Sequence, residues 1–454
     1  MKPWVRYSAG QLRRALEGGA ASKAEKGGRY CGGRECLHFI AASTRSNGGF
    51  PNSGLNIPES IQFFVGPPAC GRHGDFDLLA GGIRSHRFYR IRLTEQDLVN
   101  GTGPEKVSRQ VCAFLDSMEE KPRVVSLCIT CVDALLNADY DGLGILLKKR
   151  YGIRFVIIRM FPILAESIRT HSQMLIEAQY SVLQPSGGKQ KAVNLLGRIR
   201  ECNHESELYR VLNAAGYRVN NILECRNLAE YDALGNAELN LVVVKNALPA
   251  ARMMQKKYGI PYVEFLESCN PDDILKNYRR LEEALGVSLP VDAEWAHTCE
   301  KARTIGKKYA DCSIAIGHGF DFEPLKLASD LCRFGLPVRK VFANEVKQSD
   351  LPYLLWLEEN RPDMEIYLGT DPEFLGFAYQ PEHADLTIGM EATLFLRNPG
   401  TRALRTTEEP CEFYGLNAFL DQIDLALENA PDPGGKAPEK NPYGRSWGVY
   451  RKGL

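Results

Sequence analysis

Short apolar runs alternate with stretches of helical period along most of this chain. Short runs rich in Val, Ile, Leu and Phe, bounded by Gly, Pro, Asn or Asp, predict strands. They fall at 61–65, 89–93, 124–130, 155–160, 193–196, 219–223, 239–245, 313–316, 338–342, 365–368 and 386–388. Between them, 104–120, 205–215, 249–258 and 325–334 carry apolar residues at three- and four-residue spacing, which predicts helices with one buried face. Strands joined by helices of about 10–15 residues form right-handed βαβ crossovers. The expected fold class is α/β, with parallel sheets flanked by helices.

Two breaks divide the series. Residues 184–189, Gln-Pro-Ser-Gly-Gly-Lys, form a turn-rich linker. A long polar helical section over 272–309 precedes the block that starts at Ser313. The expected organisation is an N-terminal arm (1–29), three Rossmann-like domains (30–185, 190–290 and 300–430) and a Pro/Gly-rich tail (431–454), too poor in apolar residues for a core.

Composition narrows the function. The 454 residues hold 56 Lys plus Arg against 56 Asp plus Glu, so no net charge draws the chain to nucleic acid or an anionic membrane. No apolar run reaches the roughly 18 residues that cross a bilayer, and the N-terminus lacks the apolar core of a signal peptide. Thirteen cysteines spread over the whole length do not form the framework of a small secreted domain. The expectation is a cytoplasmic protein whose thiols stay reduced and free for metal.

Three of those cysteines stand out. Cys70 closes the apolar run through Val65-Gly66-Pro67-Pro68-Ala69, and Cys131 closes Val124 to Thr130. With Cys36, they are read as ligands of an iron–sulfur cluster, since soft thiolates suit iron–sulfide bonding. Buried structural cysteines explain any one of the three more easily than all of them. Cys128 and Cys131 also read as Cys-x-x-Cys, a redox or zinc motif. That pair ends a strand rather than opening a helix, and no second Cys-x-x-Cys completes a zinc site, so Cys128 stands as an alternate ligand.

Four segments resemble the nitrogenase component-1 superfamily, across about 30–430. Val65-Gly66-Pro67-Pro68-Ala69-Cys70-Gly71 is similar to its Gly-Pro-x-x-Cys turn. Glu95-Gln96-Asp97-Leu98-Val99-Asn100-Gly101 resembles its E-x-D-[IV]-[VI]-x-G segment. The run from Cys131 through Leu136-Asn137-Ala138-Asp139 resembles the third-cysteine motif, a Cys followed by Ile-Gly-Asp-Asp. Leu239 to Val244, with Lys257-Tyr258-Gly259-Ile260-Pro261-Tyr262, is similar to the middle-domain strand and helix of nitrogenase α. For the first ligand, Cys36-Leu37-His38-Phe39-Ile40-Ala41-Ala42 fits better than Cys31, which stays open as the alternative.

The resemblance implies a [4Fe–4S] or P-cluster-like centre at a subunit interface. It also implies an ATP-driven iron protein as electron donor, and either a homodimer or a sister subunit in an α2β2 assembly. No phosphate loop or Gly-x-Gly-x-x-Gly motif occurs, so ATP enters only through that partner and NAD is not expected. The family's iron–molybdenum cofactor hangs from a cysteine and a histidine. The matching positions here are Val244 and the 399–404 run, which has neither residue, so that cofactor is not expected.

Other candidates are weighed against plainer roles. Arg72 and His73 follow Cys70 and would stabilise a reduced cluster, or simply open a helix. Asp139 and Asp141 read as caps of a helix over 142–150. His318 lies on a strand-to-helix turn where ligands collect in open α/β sheets, which makes it the candidate proton donor, with Glu391, Arg397 and Arg402 in the same setting. The leading expectation is a nitrogenase-like oxidoreductase acting on an organic substrate, tetrapyrroles among the candidates, rather than dinitrogen. The alternative is a non-catalytic scaffold for assembly of a complex metal cofactor. A third reading is a cluster-free α/β binding protein.

Overall fold

The computed structural model describes residues 7–18, 29–30, 53–68, 70, 85–161, 170–198, 203–317, 323–343, 346–368, 383–396, 400–404 and 410–428. Cys31, Cys36, Arg72, His73, His318 and Arg397, and the tail from 431, lie outside them; Glu391 is described in its backbone alone.

The strands in chain order are β1 Arg29–Tyr30, β2 Ser60–Gly66, β3 Phe88–Arg92, β4 Val124–Ile129 and β5 Arg154–Arg159. Then come β6 Gln190–Leu196, β7 Arg218–Asn221, β8 Ala237–Val242, β9 Tyr262–Glu264 and β10 Ile314–Ile316. Last are β11 Val338–Ala343, β12 Val346–Lys347, β13 Glu365–Leu368, β14 Leu386–Ile388 and β15 Arg402–Leu404. Each run expected as a strand contains one. The short strands β9 and β15 escaped the pattern because Tyr-Val-Glu and Arg-Ala-Leu are not apolar runs, unlike the equally short β10 and β14, and β1 pairs antiparallel with β12 as a two-residue ribbon.

By internal contacts the chain divides into two compact units. One takes in the described residues of Asn47–Asn203 and Leu212–Glu264. It holds two all-parallel sheets, ordered β3-β2-β4-β5 and β7-β6-β8-β9. The other takes in Met1–Ser46, His204–Val211 and Phe265–Glu439 as far as they are described, around the parallel sheet β13-β11-β10-β14-β15. This is an α/β fold of parallel sheets flanked by helices.

In the first sheet one face carries Ile61, Phe63, Val65, Val125, Leu127 and Ile129, packed on Val107, Val111 and Leu115 of the Gly103–Ser117 helix. Alternation turns Gln62, Phe64, Ser126 and Cys128 to the opposite face. The buried polar groups there are paired: Gly54 N–H donates to Gln62 Oε1 at 2.9 Å, and Ser126 Oγ donates to the Ile61 carbonyl at 3.3 Å. The second sheet carries a buried amide ladder across neighbouring strands. Asn220 Nδ2 donates to Asn194 Oδ1 at 3.0 Å, and Asn194 Nδ2 donates to Asn240 Oδ1 at 2.8 Å.

The polar section expected over 272–309 is two helices, Pro271–Leu285 and Asp292–Lys308. Gly286 adopts φ 65 and its N–H returns to the Glu282 carbonyl at 2.8 Å, a left-handed cap that ends the first helix. Both helices belong with the third sheet. So does the start of the Glu207–Ala214 helix. Glu207 is buried and accepts from Phe413 N–H at 2.6 Å, Tyr414 N–H at 3.0 Å and the Tyr278 hydroxyl at 2.9 Å. No helix among the described residues is long and apolar enough to cross a membrane.

Candidate functional site

In the order β3-β2-β4-β5 the chain runs from β2 outward to β3 and then returns to the other side of β2 as β4. The crevice between the carboxyl ends of β2 and β4 is therefore the point where the winding reverses, the usual ligand position in such sheets. Cys70 follows β2, and Cys131 follows β4.

Neither cysteine sits on a strand, a correction to the reading of both as strand ends. β2 stops at Gly66 because Pro67 and Pro68 lack the N–H a ladder needs. Cys70 lies in the turn beyond, its N–H donating to the Pro67 carbonyl at 3.1 Å. Cys131 is the first residue of the short Cys131–Leu135 helix. That helix starts where it does because Thr130 N–H donates to Asp133 Oδ2 at 2.9 Å, the backbone half of a capping box. Thr-x-x-Asp was visible in the sequence as a cap signal.

Gly66 joins the two cysteine segments. A Cβ built on it would stand 3.0 Å from Thr130 Oγ1, 3.1 Å from Thr130 Cγ2 and 3.6 Å from Cys70 Cβ. A side chain there would enter the space between the turn and the helix. Cys70 and Cys131 are both half-buried free thiols. Burial pushes the Cys70 thiol up, and charge on Cys131 and then on Asp133 adds to the rise. The two sulfurs thus lie within electrostatic reach of each other.

Cys128 is different. It lies within β4, opposite Phe64 of β2 and Ile158 of β5, fully buried, and burial followed by Asp133 drives its thiol far up. Left to itself it stays protonated. Asp133, 3% exposed, accepts from Thr130 N–H and from the Tyr140 hydroxyl, the latter at 2.6 Å, and completes a capping box with the Thr130 side chain. Burial raises its carboxyl in spite of them.

Asn137 has φ 50, a left-handed conformation that Asn tolerates, in the place where the third-cysteine motif has Gly. Asp139 Oδ1 accepts from Asp141 N–H at 2.8 Å, but the N-cap of the Asp141–Tyr151 helix is Tyr140, so Asp139 acts one residue before the cap and Asp141 opens the helix rather than capping it. Asp97 accepts from Thr94 N–H at 2.7 Å, Thr94 Oγ1 at 2.7 Å and Lys106 Nζ at 2.6 Å, which makes the acidic segment a helix-start device. A small groove beside Gly66 is lined by Phe64, Pro67, Pro68, Arg90, Ile91 and Arg92. These two arginines were not singled out in the sequence.

Several apolar side chains lie open to solvent on segments beyond the ends of β3 and β4. Val99 is 78% exposed, Leu135 70%, Leu136 52% and Ile145 69%. Among the described residues no group of three or more His, Cys, Asp and Glu side chains is arranged to hold a metal ion.

The second sheet repeats the topology. Its reversal lies between β6 and β8, flanked by Gly197 and Val244. Gly197 has φ 98, and a Cβ on it would come within 2.3 Å of Val244 Cγ2. Val244, 5% exposed, thus fills its strand end with hydrocarbon and offers no ligand atom to a metal cofactor. Arg402 begins β15, its N–H donating to the Asp385 carbonyl at 3.1 Å.

Comparison with known proteins agrees with this architecture. The family described as "Nitrogenase component 1 type Oxidoreductase" matches residues 55–404. The cofactor biosynthesis protein "Nitrogenase iron-molybdenum cofactor biosynthesis protein NifE" of Clostridium pasteurianum is 23% identical over 316 residues, 65% of this chain and 66% of that protein. Its namesake from Rhodobacter capsulatus is 26% identical over 211 residues, 44% of this chain and 43% of its own length. Each match thus spans less than two thirds of the relative. The solved structure "Nitrogenase Cp1 at pH 6.5" superposes with TM-score 0.67 at 14% identity, covering 87% of this chain and 94% of its own.

Proposed function

This chain belongs to the nitrogenase component 1-type oxidoreductase family, and from that premise we propose that it is a scaffold subunit for assembling a complex metal cluster. The observation that carries this reading is the pair Cys70 and Cys131, set at one sheet reversal around a glycine with no side chain to obstruct them. The names of the curated relatives, each a cofactor biosynthesis protein, support it.

The donor set fits an iron–sulfur group: two soft thiols, space at Gly66 and burial on one side. Cys70 and Cys131 bind it with Cys36, or with Cys31 in its place, and with ligands from a second chain. Such a group supplies one-electron storage and a nucleus for further metal and sulfide. Pro67 and Pro68 stiffen the turn that bears Cys70 and limit its movement. Cys128, buried and protonated, stays in reserve as an alternate ligand. The exposed Leu135, Leu136, Ile145 and Val99 support docking of another protein over this edge, either a second copy or a sister subunit.

A second reading rests on Val244. Without a thiolate at the second sheet's reversal, an iron–molybdenum cofactor has no sulfur anchor there. That favours a nitrogenase-like reductase of an organic substrate, fed by an ATP-dependent iron protein, with His318 as candidate proton donor.

One experiment separates them. The protein, purified without oxygen and supplied with ferrous iron and sulfide, is expected to bind iron and turn brown. Cys70→Ala and Cys131→Ala are each expected to lose most of that iron. Passage of the bound cluster to a cluster-free acceptor supports the scaffold. Substrate turnover with iron protein and ATP, without transfer, supports the reductase. Unchanged iron and colour in both cysteine variants would leave only the cluster-free binding protein.

A further inference from the structure

Ile366, fully buried in β13, turns one N–H and one carbonyl away from the third sheet, since β13 is an outer strand and β11 lies on its other side. Both groups are taken up by the chain's own arm. Tyr7 N–H donates to the Ile366 carbonyl at 2.9 Å, and Ile366 N–H donates to the Tyr7 carbonyl at 2.8 Å, an antiparallel bridge. Beyond it the Ala9–Gly18 helix packs on the Leu351–Asn360 helix. Ala9 and Leu12 are fully buried there, and Arg13 grips Glu358 with two prongs, Nε to Oε2 at 2.7 Å and Nη2 to Oε1 at 3.2 Å. A Cβ on Gly10 would stand 2.6 Å from Glu358 Oε1, so the arm's backbone passes close over that carboxylate. The strand beneath does little to repel another strand. Glu365-Ile366-Tyr367-Leu368 lacks Pro, Lys and Arg, and its one carboxylate is engaged by Lys340 of β11 and by the Tyr367 hydroxyl.

We propose that residues 7–18 guard this edge, keeping Ile366 from pairing with the same residue of a second copy of the chain. Geometry singles out that partner. Two identical edges related by a two-fold axis run antiparallel, and antiparallel is the pairing Ile366 already makes with Tyr7. The strand is largely apolar, and the chain has no net charge to hold copies apart. The guard is a bridge and one short helix, so it lifts without unfolding the sheet. Its return is favoured because β1, further along the same arm, stays paired with β12 and tethers it to the unit it covers.

Arg13→Glu sets two carboxylates together and lifts the guard, and adding Glu358→Arg restores an ion pair of opposite polarity. Leu12→Asp lifts it by a second route. Deuterium exchange of the full-length proteins, read by mass spectrometry over 364–368, reports whether the edge is covered. Light scattering over a concentration series reports association. In dilute solution Arg13→Glu and Leu12→Asp are expected to exchange about tenfold faster at Ile366, while β10 and β11 keep the wild-type rate. As concentration rises both variants are expected to associate, and exchange over 364–368 slows again because a second copy now covers it. The double variant returns to wild type in exchange and in association. If Leu12→Asp loosens β10 and β11 as well, Arg13→Glu, at a partly exposed site, decides. Faster exchange with no association at any concentration overturns the guard. So does association without renewed protection over 364–368, which places the contact elsewhere, and so does unchanged exchange in Arg13→Glu.

Discussion

Tyr140 donates its phenolic hydrogen to Asp133 at 2.6 Å, which ties the loop before the Asp141–Tyr151 helix to the first turn of the helix that bears Cys131. The bond also drives the Tyr140 phenol above its ordinary range, second only to burial as a cause. Tyr140→Phe leaves a buried carboxyl with one donor fewer and is expected to cost about 1–3 kcal/mol of stability. Urea unfolding of the iron-free protein measures it, and a loss near zero would mean that water replaces the phenol.

Asp97 sets a pH dependence. Hydrogen bonds from Lys106 first, then from Thr94, hold its carboxyl down at about 2. A depressed carboxyl stabilises the fold fully above its unfolded value near 3.9, and that stabilisation is lost as pH falls through about 2. Lys106→Met lets the carboxyl rise toward its unfolded value, so the variant has less of this stabilisation to lose as pH falls. Unfolding midpoints at pH 5, 4 and 3 are expected to show wild type and variant converging as the medium becomes more acid.

Gly197 and Val244 form a coupled pair. Gly197→Ala places a methyl within 2.3 Å of Val244 Cγ2 at a residue with φ 98, and is expected to cost more than about 2 kcal/mol. Adding Val244→Ala removes the collision but leaves the backbone strain. The double variant should therefore recover part of the loss, a coupling that a double-mutant cycle reads directly. Full additivity would show that the two side chains do not meet.

Arg154 and Asp232 form a two-pronged ion pair at 2.6 and 2.7 Å, with both side chains mostly buried. Arg154 also donates to the Val182 carbonyl at 3.3 Å, and Asp232 accepts from Gln184 N–H at 2.8 Å, so the turn-rich segment over 184–189 is held at its start. Arg154→Met strands the carboxylate and is expected to lower stability by about 3 kcal/mol. Limited proteolysis should then cut first within 184–189.

Apolar periodicity located the helix-joined strands because burial on a parallel sheet demands continuous hydrocarbon, which a sequence displays openly. The endings of the strands were legible too. Val65-Gly66, Leu196-Gly197 and Ile316-Gly317 each close the first strand of a sheet at its reversal. The grouping of Pro271–Leu285 and Asp292–Lys308 with the third sheet was not legible. It depends on contacts such as the Tyr309 hydroxyl donating to Asp424 Oδ1 at 2.8 Å, between residues far apart in the chain.

Residue order alone was enough to specify parallel α/β layering, the break at two prolines after Gly66 and the thiols on either side, since these follow from local sterics and hydrophobic pattern. Only the folded chain could decide that Cys70 and Cys131 share one sheet reversal and that Gly66 leaves a gap between their segments. Those facts arise from pairing β2 beside β4. Strand order is settled by the summed packing of the whole sheet, which no local stretch encodes.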